Sequence, residues 1–195
     1  LNMEGFYSFD KKTERLTNYG TQSPKHYFSD TERWDLWSSY YPRRMMFDSE
    51  KRLWLGTARG LFDFNPVTKI FKYYIFNPNN PHSISSSEIT ALAEDKRSRL
   101  WVGTLLHGLN RFEEKTNTFY KYRHDPDDSL SLNSNEIKAL YCDDDGTLWI
   151  GSKNGLNQYD AETNQFLNHK IFSGINIRGI LRDRQKTLWL NVDNG

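Results

Sequence analysis

One phrase recurs along the chain: "KRLWLGTARGLFDFN" at 51–65, "SRLWVGTLLHGLNRFE" at 98–113 and "GTLWIGSKNGLNQYD" at 146–160. Weaker copies stand at "MEGFYSFD" (3–10) and "KTLWLNVDNG" (186–195). Internal repetition on this scale constrains a fold more tightly than composition does, because a unit that must recur cannot bury its own faces. The tryptophans of the phrase are Trp54, Trp101, Trp149 and Trp189, spaced 47, 48 and 40 residues apart. The glycines that follow are Gly60, Gly108 and Gly155, with Gly5 and Gly195 in the outer copies. Two more registers run in step. One carries threonine after a polar turn residue (Thr13, Thr68, Thr116, Thr163), and the other opens on aspartate ahead of each tryptophan (Asp48, Asp95, Asp143, Asp183).

Each unit divides into four short apolar runs separated by turn chemistry. In the second unit these are "EITALAE", "RLWVGT", "GLNRFE" and "TFYKY", here called strands a, b, c and d. Tight polar turns between a and b and between c and d suit hairpins. Alternation is imperfect, as in Leu61, Phe62 and Phe64, which predicts sheets covered on both faces. Strand a is rich in small residues (Ala91, Ala93, Ala139, Gly179), as an innermost strand near a crowded axis would be. Four-stranded sheets stacked radially at this period describe an all-β fold, a β-propeller segment of about four four-stranded antiparallel blades. The repeats run approximately 5–56, 60–103, 108–151 and 155–191. A β-sandwich is the alternative. In the propeller reading the tryptophans fill the gap between neighbouring blades, and Gly60 and its counterparts permit a sharp b–c turn.

Aromatic content of 15% lets rings rather than aliphatic chains fill such a core. A net charge of +1, evenly interspersed, gives no field for nucleic acid. Cys142 is the one cysteine, so no internal disulfide is available. No stretch approaches the ~18 consecutive apolar residues of a spanning helix. No leader is recognised at Leu1, and a membrane segment of the parent protein is expected outside this sequence. Both ends align with strand b and its following turn. The expectation is therefore a portion of a longer array, with a self-contained four-bladed ring as the alternative.

The phrase N-x-I-x-A-L-x-x-D-x-x-G-x-L-W-I-G-T-x-x-G-L is matched by "NEIKALYCDDDGTLWIGSKNGL" (135–156) and nearly so by "EITALAEDKRSRLWVGTLLHGL" (88–109). The chain thereby resembles the two-component regulator propeller repeat. The loops "NPNNPHSISSSEI" (77–89) and "DPDDSLSLNSNEI" (125–137) resemble the proline–asparagine–serine insert of that family. The first unit carries "SPKHYFSDTERWDLWSSYYPRRMM" (23–46) in place of the insert, and the last lacks it and has Asn191 at a glycine position. The resemblance implies a seven-bladed propeller in the extracytoplasmic, periplasmic sensor of a membrane-anchored hybrid histidine kinase. It implies an oligosaccharide ligand, and as partners the remaining blades and downstream sensor domains of the same protein. Kinase activity would reside outside this chain, and a homodimer is a further partner class left open.

No cofactor and no metal are expected. "DDDG" at 143–146 invites a calcium reading, but its counterparts read "DSEK", "DKRS" and "DRQK", which favours turn chemistry. The histidines (His26, His82, His107, His124, His169) lack ligand spacing. No catalytic residue is singled out, since no pair of carboxylates marks a glycosidase cleft. Cys142 reads as buried and inert, with no nucleophile motif beside it. The candidate ligand site is the stretch that departs from the repeat. It concentrates Tyr27, Trp34, Trp37, Tyr40, Tyr41, Arg43 and Arg44, rings that stack on sugars and forks that bind oxyanions. Arg59, His107, Lys153, Asn154 and Arg178 are expected at the same rim. The competing reading is that Trp34 and Trp37 pack a blade edge or a neighbouring domain. Three functions stand open: a non-enzymatic ligand-sensing propeller, a scaffold for protein contact, and a polysaccharide hydrolase or lyase.

Overall fold

The computed structural model describes residues 7–18 and 42–193. Its strands are β1 (Tyr7–Asp10), β2 (Arg15–Asn18), β3 (Arg44–Phe47), β4 (Leu53–Gly56), β5 (Leu61–Asn65), β6 (Ile70–Tyr74), β7 (Ile89–Glu94) and β8 (Leu100–Thr104). They continue as β9 (Leu109–Glu113), β10 (Thr118–Tyr122), β11 (Ile137–Cys142), β12 (Leu148–Ser152), β13 (Gly155–Asp160), β14 (Gln165–Asn168), β15 (Asn176–Arg182) and β16 (Leu188–Asp193). Among the described residues these form three four-stranded antiparallel sheets, β3–β6, β7–β10 and β11–β14, and two-stranded sheets β1–β2 and β15–β16. Each sequence repeat of the order c–d–a–b therefore contributes to two successive sheets. That is why the outermost units appear as a lone c–d pair (β1–β2) and a lone a–b pair (β15–β16).

The sheets stack through their inner strands: β7 packs on β3 and β4, β11 on β7 and β8, and β15 on β11 and β12. This is the β-propeller arrangement. Close stacking demands small residues where one blade meets the next. A Cβ built on Gly103 would lie 2.6 Å from Ile137 Cγ2 of the following sheet. No side chain fits there without moving β11. On β5 Leu61 and Phe64 are buried and Phe62 is half-buried, so the imperfect alternation there does correspond to a strand covered on both faces, and all of β8 is buried as well.

Burial of each tryptophan follows whether the next blade's strand c is beside it. Trp54 is 1% exposed, with its ring 5.9 Å from Phe112 of the following sheet. Trp101 is 0% exposed and meets Tyr159 of the next sheet at 4.6 Å, edge to face. Trp149 is half-buried, its ring 5.4 Å from His169. Trp189 is 61% exposed. Trp54 and Trp101 are inter-blade spacers, as the repeat required.

The aspartate register closes the a–b hairpins. Asp95 Oδ1 accepts from Arg97 N (2.9 Å) and Arg99 N (3.1 Å), while Oδ2 accepts from Arg99 Nε (2.6 Å) and Trp101 Nε1 (2.7 Å). Asp48, Asp143 and Asp183 accept the indole N–H of Trp54, Trp149 and Trp189 at 2.9, 3.0 and 2.7 Å. One carboxylate thus satisfies a tight turn and a buried indole together. The sequence "DDDG" is an instance of this lock, and the described residues contain no group of three metal-ligating side chains.

Candidate functional site

Two kinds of connection meet on one rim: the b–c turns and the d–a inserts. Each b–c turn is locked by a hydroxyl. Thr57 Oγ1 donates to Gly60 O at 2.9 Å, Thr104 Oγ1 to Gly108 O at 2.7 Å and Ser152 Oγ to Gly155 O at 3.1 Å. Gly108 has φ +77, and a Cβ there would lie 2.1 Å from Tyr122 O, so both conformation and space require glycine.

The inserts 77–88 and 125–136 fold alike. Ser83 and Ser131 bridge the start of each loop, taking Asn77 N and Asp125 N at 3.1 and 2.9 Å. Ile84 and Leu132 are fully buried plugs. The inserts then latch to a buried asparagine on strand c. Asn110 Oδ1 accepts from Ser85 N (2.9 Å) and its Nδ2 donates to Ser85 Oγ (2.8 Å). Asn157 repeats this with Asn133 N and Asn133 Oδ1, both at 2.8 Å. Each asparagine is 0% exposed, so loss of either leaves buried polar groups unpaired. Sequence reasoning passed over this latch, although Asn110 and Asn157 occupy the same place in the repeated "GLN". The first sheet has Phe62 at that position, with its ring 4.5 Å from Tyr73. The departure from the insert template at 23–46 and the loss of its anchor therefore concern the same blade, although they fall in successive sequence repeats.

Tyr27, Trp34, Trp37, Tyr40 and Tyr41 lie outside the described residues. Arg43 is exposed and its backbone N–H donates to Gly56 O at 2.8 Å, and Arg44 opens β3, also exposed. Arg59, His107 and Lys153 are exposed on the three b–c turns among the described residues. His107 O accepts from Ser85 Oγ at 2.9 Å, and Asn154 Nδ2 donates to Asn133 O at 3.2 Å, so turn and insert hold each other. Arg178 stands at the bulge of β15 and pairs with Asp193. The matching bulges of β7 and β11 aim Thr90 and Lys138. Lys138 pairs with Glu136, which also lies 3.5 Å from Lys153 Nζ. Burial alone would raise the Glu136 carboxyl, but the hydrogen bond and charge of Lys138, with Lys153, hold it below the ordinary value. The rim thus gathers the b–c turn residues, Arg178 and the unforeseen Glu136–Lys138 pair.

The opposite rim is a clamp. Arg52 bridges Asp48 and Glu114, and Ser49 donates to Glu94 Oε1 at 2.7 Å across the blade junction. In the third sheet Thr147 replaces this arginine. Arg182 of the next blade supplies the cation, 3.2 Å from Asp143 Oδ2 and 2.8 Å from Asp145 Oδ2. Cys142, nearby, is half-buried, and burial pushes its thiol pKa up, away from nucleophilic character.

Residues 83–105 and 131–154 match the model of the two component regulator propeller family. Both matches start in an insert and run through strands a and b toward the b–c turn. These two stretches, together 47 of the 195 residues, resemble two-component regulator propeller repeats. The propeller architecture also matches solved structures. The extracellular domain assigned to the one-component system BT4673 of B. thetaiotaomicron aligns with TM-score 0.67 and 23% identity, covering 99% of this chain and 24% of that one. That assigned to the hybrid two-component system BT3049 of the same organism aligns with TM-score 0.57 and 21% identity, covering 97% and 30%. Virginiamycin B lyase of Staphylococcus aureus aligns with TM-score 0.64 and 15% identity, covering 94% and 55%. The chain spans less than a third of either extracellular domain, and at these identities the likeness is one of fold. No curated protein matches the chain significantly.

Proposed function

We propose that this propeller segment is a non-enzymatic sensor element, extracytoplasmic, that binds an oligosaccharide at the insert rim and signals through domains beyond this sequence. The observation that carries the reading is the coincidence of the two regulator-propeller repeats with the two latched inserts. The matched stretches include the parts that build the rim. Arg59, His107 and Lys153 stand exposed on its turns, with Arg43, just ahead of β3, and Arg178, on β15, exposed beside it. The remaining blades of the ring would complete the surface, and the segment 23–46 would add its rings and arginines. Such a ligand acts only by binding two receptor arrangements with different affinity.

The lyase neighbours keep an enzymatic reading open as an outcome of the test. Calorimetric titration of the full chain against a panel of glycan fragments should give saturable binding with no product by chromatography. Arg59→Ala with His107→Ala should weaken it at least about tenfold, ~1.4 kcal/mol. Product formation would refute the sensing reading, and undiminished affinity in that variant and in Trp34→Ala would remove the proposed site.

A further inference from the structure

Each insert is held by a cross-strand pair of side chains, not by the asparagine alone. Asn110 on β9 stands directly opposite Lys121 on β10, and Asn157 on β13 opposite Asn168 on β14. The strand-d member of each pair also takes an insert carbonyl. Lys121 Nζ donates to Pro81 O at 2.7 Å, and Asn168 Nδ2 to Ser129 O at 3.1 Å. In the first sheet the same position is Phe62 opposite Tyr73. Their rings lie 4.5 Å apart at 33°. Tyr73 OH is turned to Arg59 O at 2.6 Å, and a Cβ on Gly60 would lie 2.4 Å from the Tyr73 ring. A polar pair has thus become an aromatic platform seated on the b–c turn.

Strand register says which residues meet that platform. Ala91 and Ala139 stand opposite Gly103 and Gly151 across strands a and b, as Arg44 stands opposite Gly56. Seven residues ahead of these are Ile84, Leu132 and Trp37. Ile84 and Leu132 are fully buried, each in a core shared by its own sheet and the preceding one. Ten residues ahead are Pro81, Ser129 and Trp34. Pro81 and Ser129 are the residues whose carbonyls meet Lys121 and Asn168. By this count the stretch between β2 and β3 carries a tryptophan at both anchor positions of an insert. It does so ahead of the one four-stranded sheet, among the described residues, whose docking pair is aromatic.

We propose that the Phe62–Tyr73 pair is the docking surface for residues 34–41 of this chain, with Trp34 packed on the two rings and Trp37 as the buried plug. Offset or edge-on aromatic contact needs no donor. The loss of both polar anchors is therefore met by the residue type that the segment supplies. This inference does not depend on the sensing function of the rim, because it concerns what holds the segment rather than what the segment binds.

Limited trypsin cleavage of the full chain after Arg33, next to Trp34, reads the dock, since cutting there requires the segment to leave the surface. Cleavage after Arg123, in the exposed stretch ahead of the second insert, is the internal reference. Tyr73→Ala should raise the rate at Arg33 relative to Arg123 by at least about tenfold. Tyr73→Phe, which keeps the ring and drops the hydroxyl, should leave the ratio unchanged. Fluorine NMR of the fluorotryptophan-labelled chain, assigned through Trp34→Phe and Trp37→Phe, gives a second readout. The Trp34 line should move in Tyr73→Ala, and the Trp37 line should show no solvent isotope shift in deuterium oxide. An unchanged ratio in Tyr73→Ala, an equal rise in Tyr73→Phe, or a full isotope shift at Trp37 would overturn the assignment.

Discussion

The aspartate lock allows one perturbation to be graded inside a single molecule. Asp95→Ala removes the acceptor of Trp101 Nε1, and Trp101 is 0% exposed, so no water can replace it. It also removes the charge-assisted bond from Arg99 Nε, whose side chain is 20% exposed. A buried donor left unpaired costs about 1–3 kcal/mol and a bond to a charged partner about 1.5–3, with some overlap, so the expected loss is ~3 kcal/mol. For a chain of this length that lowers the melting temperature by roughly 6–12 °C. Asp183→Ala removes the same indole bond from Trp189, which is 61% exposed and open to water. Its melting shift should be less than a third of that of Asp95→Ala. Differential scanning calorimetry and urea titration of the two variants check this. Equal shifts would refute the argument that the lock matters through desolvation of the indole.

Three further outcomes are expected. Gly103→Ala sets a Cβ 2.6 Å from Ile137 Cγ2 and should cost about 1–3 kcal/mol. Combining it with Ile137→Ala should cost less than the two losses added, as a double-mutant cycle by urea titration would read. Asn110→Ala should release the first insert, raising amide exchange at Ser85 by at least about tenfold while Asn133 in the second insert keeps its protection. Burial raises the Asp63 carboxyl against a smaller opposing pull from Arg52 and Lys72. A raised folded-state pKa means that ionisation disfavours folding at pH 7, and that the penalty is gone below the ordinary value of 3.8. Asp63→Asn should therefore stabilise at pH 7, the gain vanishing below that pH, and a loss at pH 7 in paired urea titrations would contradict the sign.

The radial stack was legible because every blade must fit two neighbours, so Trp54, Trp101 and Trp149 and the glycines after them recur in phase. The b–c turns were legible for the same reason, through Gly60, Gly108 and Gly155. The aspartates were recognised as turn residues, but their second task, accepting the indole N–H, needs a contact six residues along that no pattern displays. Inter-blade ion pairs were not legible. Arg182 answers Asp143 from the next blade, in place of the arginine that Asp48 and Asp95 find on their own hairpins. A local repeat gives no hint of a partner that has moved between units. The insert latch was missed because Asn110 and Asn157 look like ordinary strand residues until burial shows them paired with the loop. Of the proposed ligand residues, the turn positions Arg59, His107 and Lys153 followed from alignment to the repeat. The rings of 23–46 have no aromatic counterpart to align with.

The account rests on a division of labour between two rims, one presenting inserts and turns to ligand, the other clamping blades together. Amide chemical-shift mapping of the full chain during titration with a binding glycan fragment tests it most directly. The account predicts shifts concentrated at 57–60, 104–108, 133–138 and 152–155. Shifts confined to the hairpins at 48–52, 95–99 and 143–147 would contradict it.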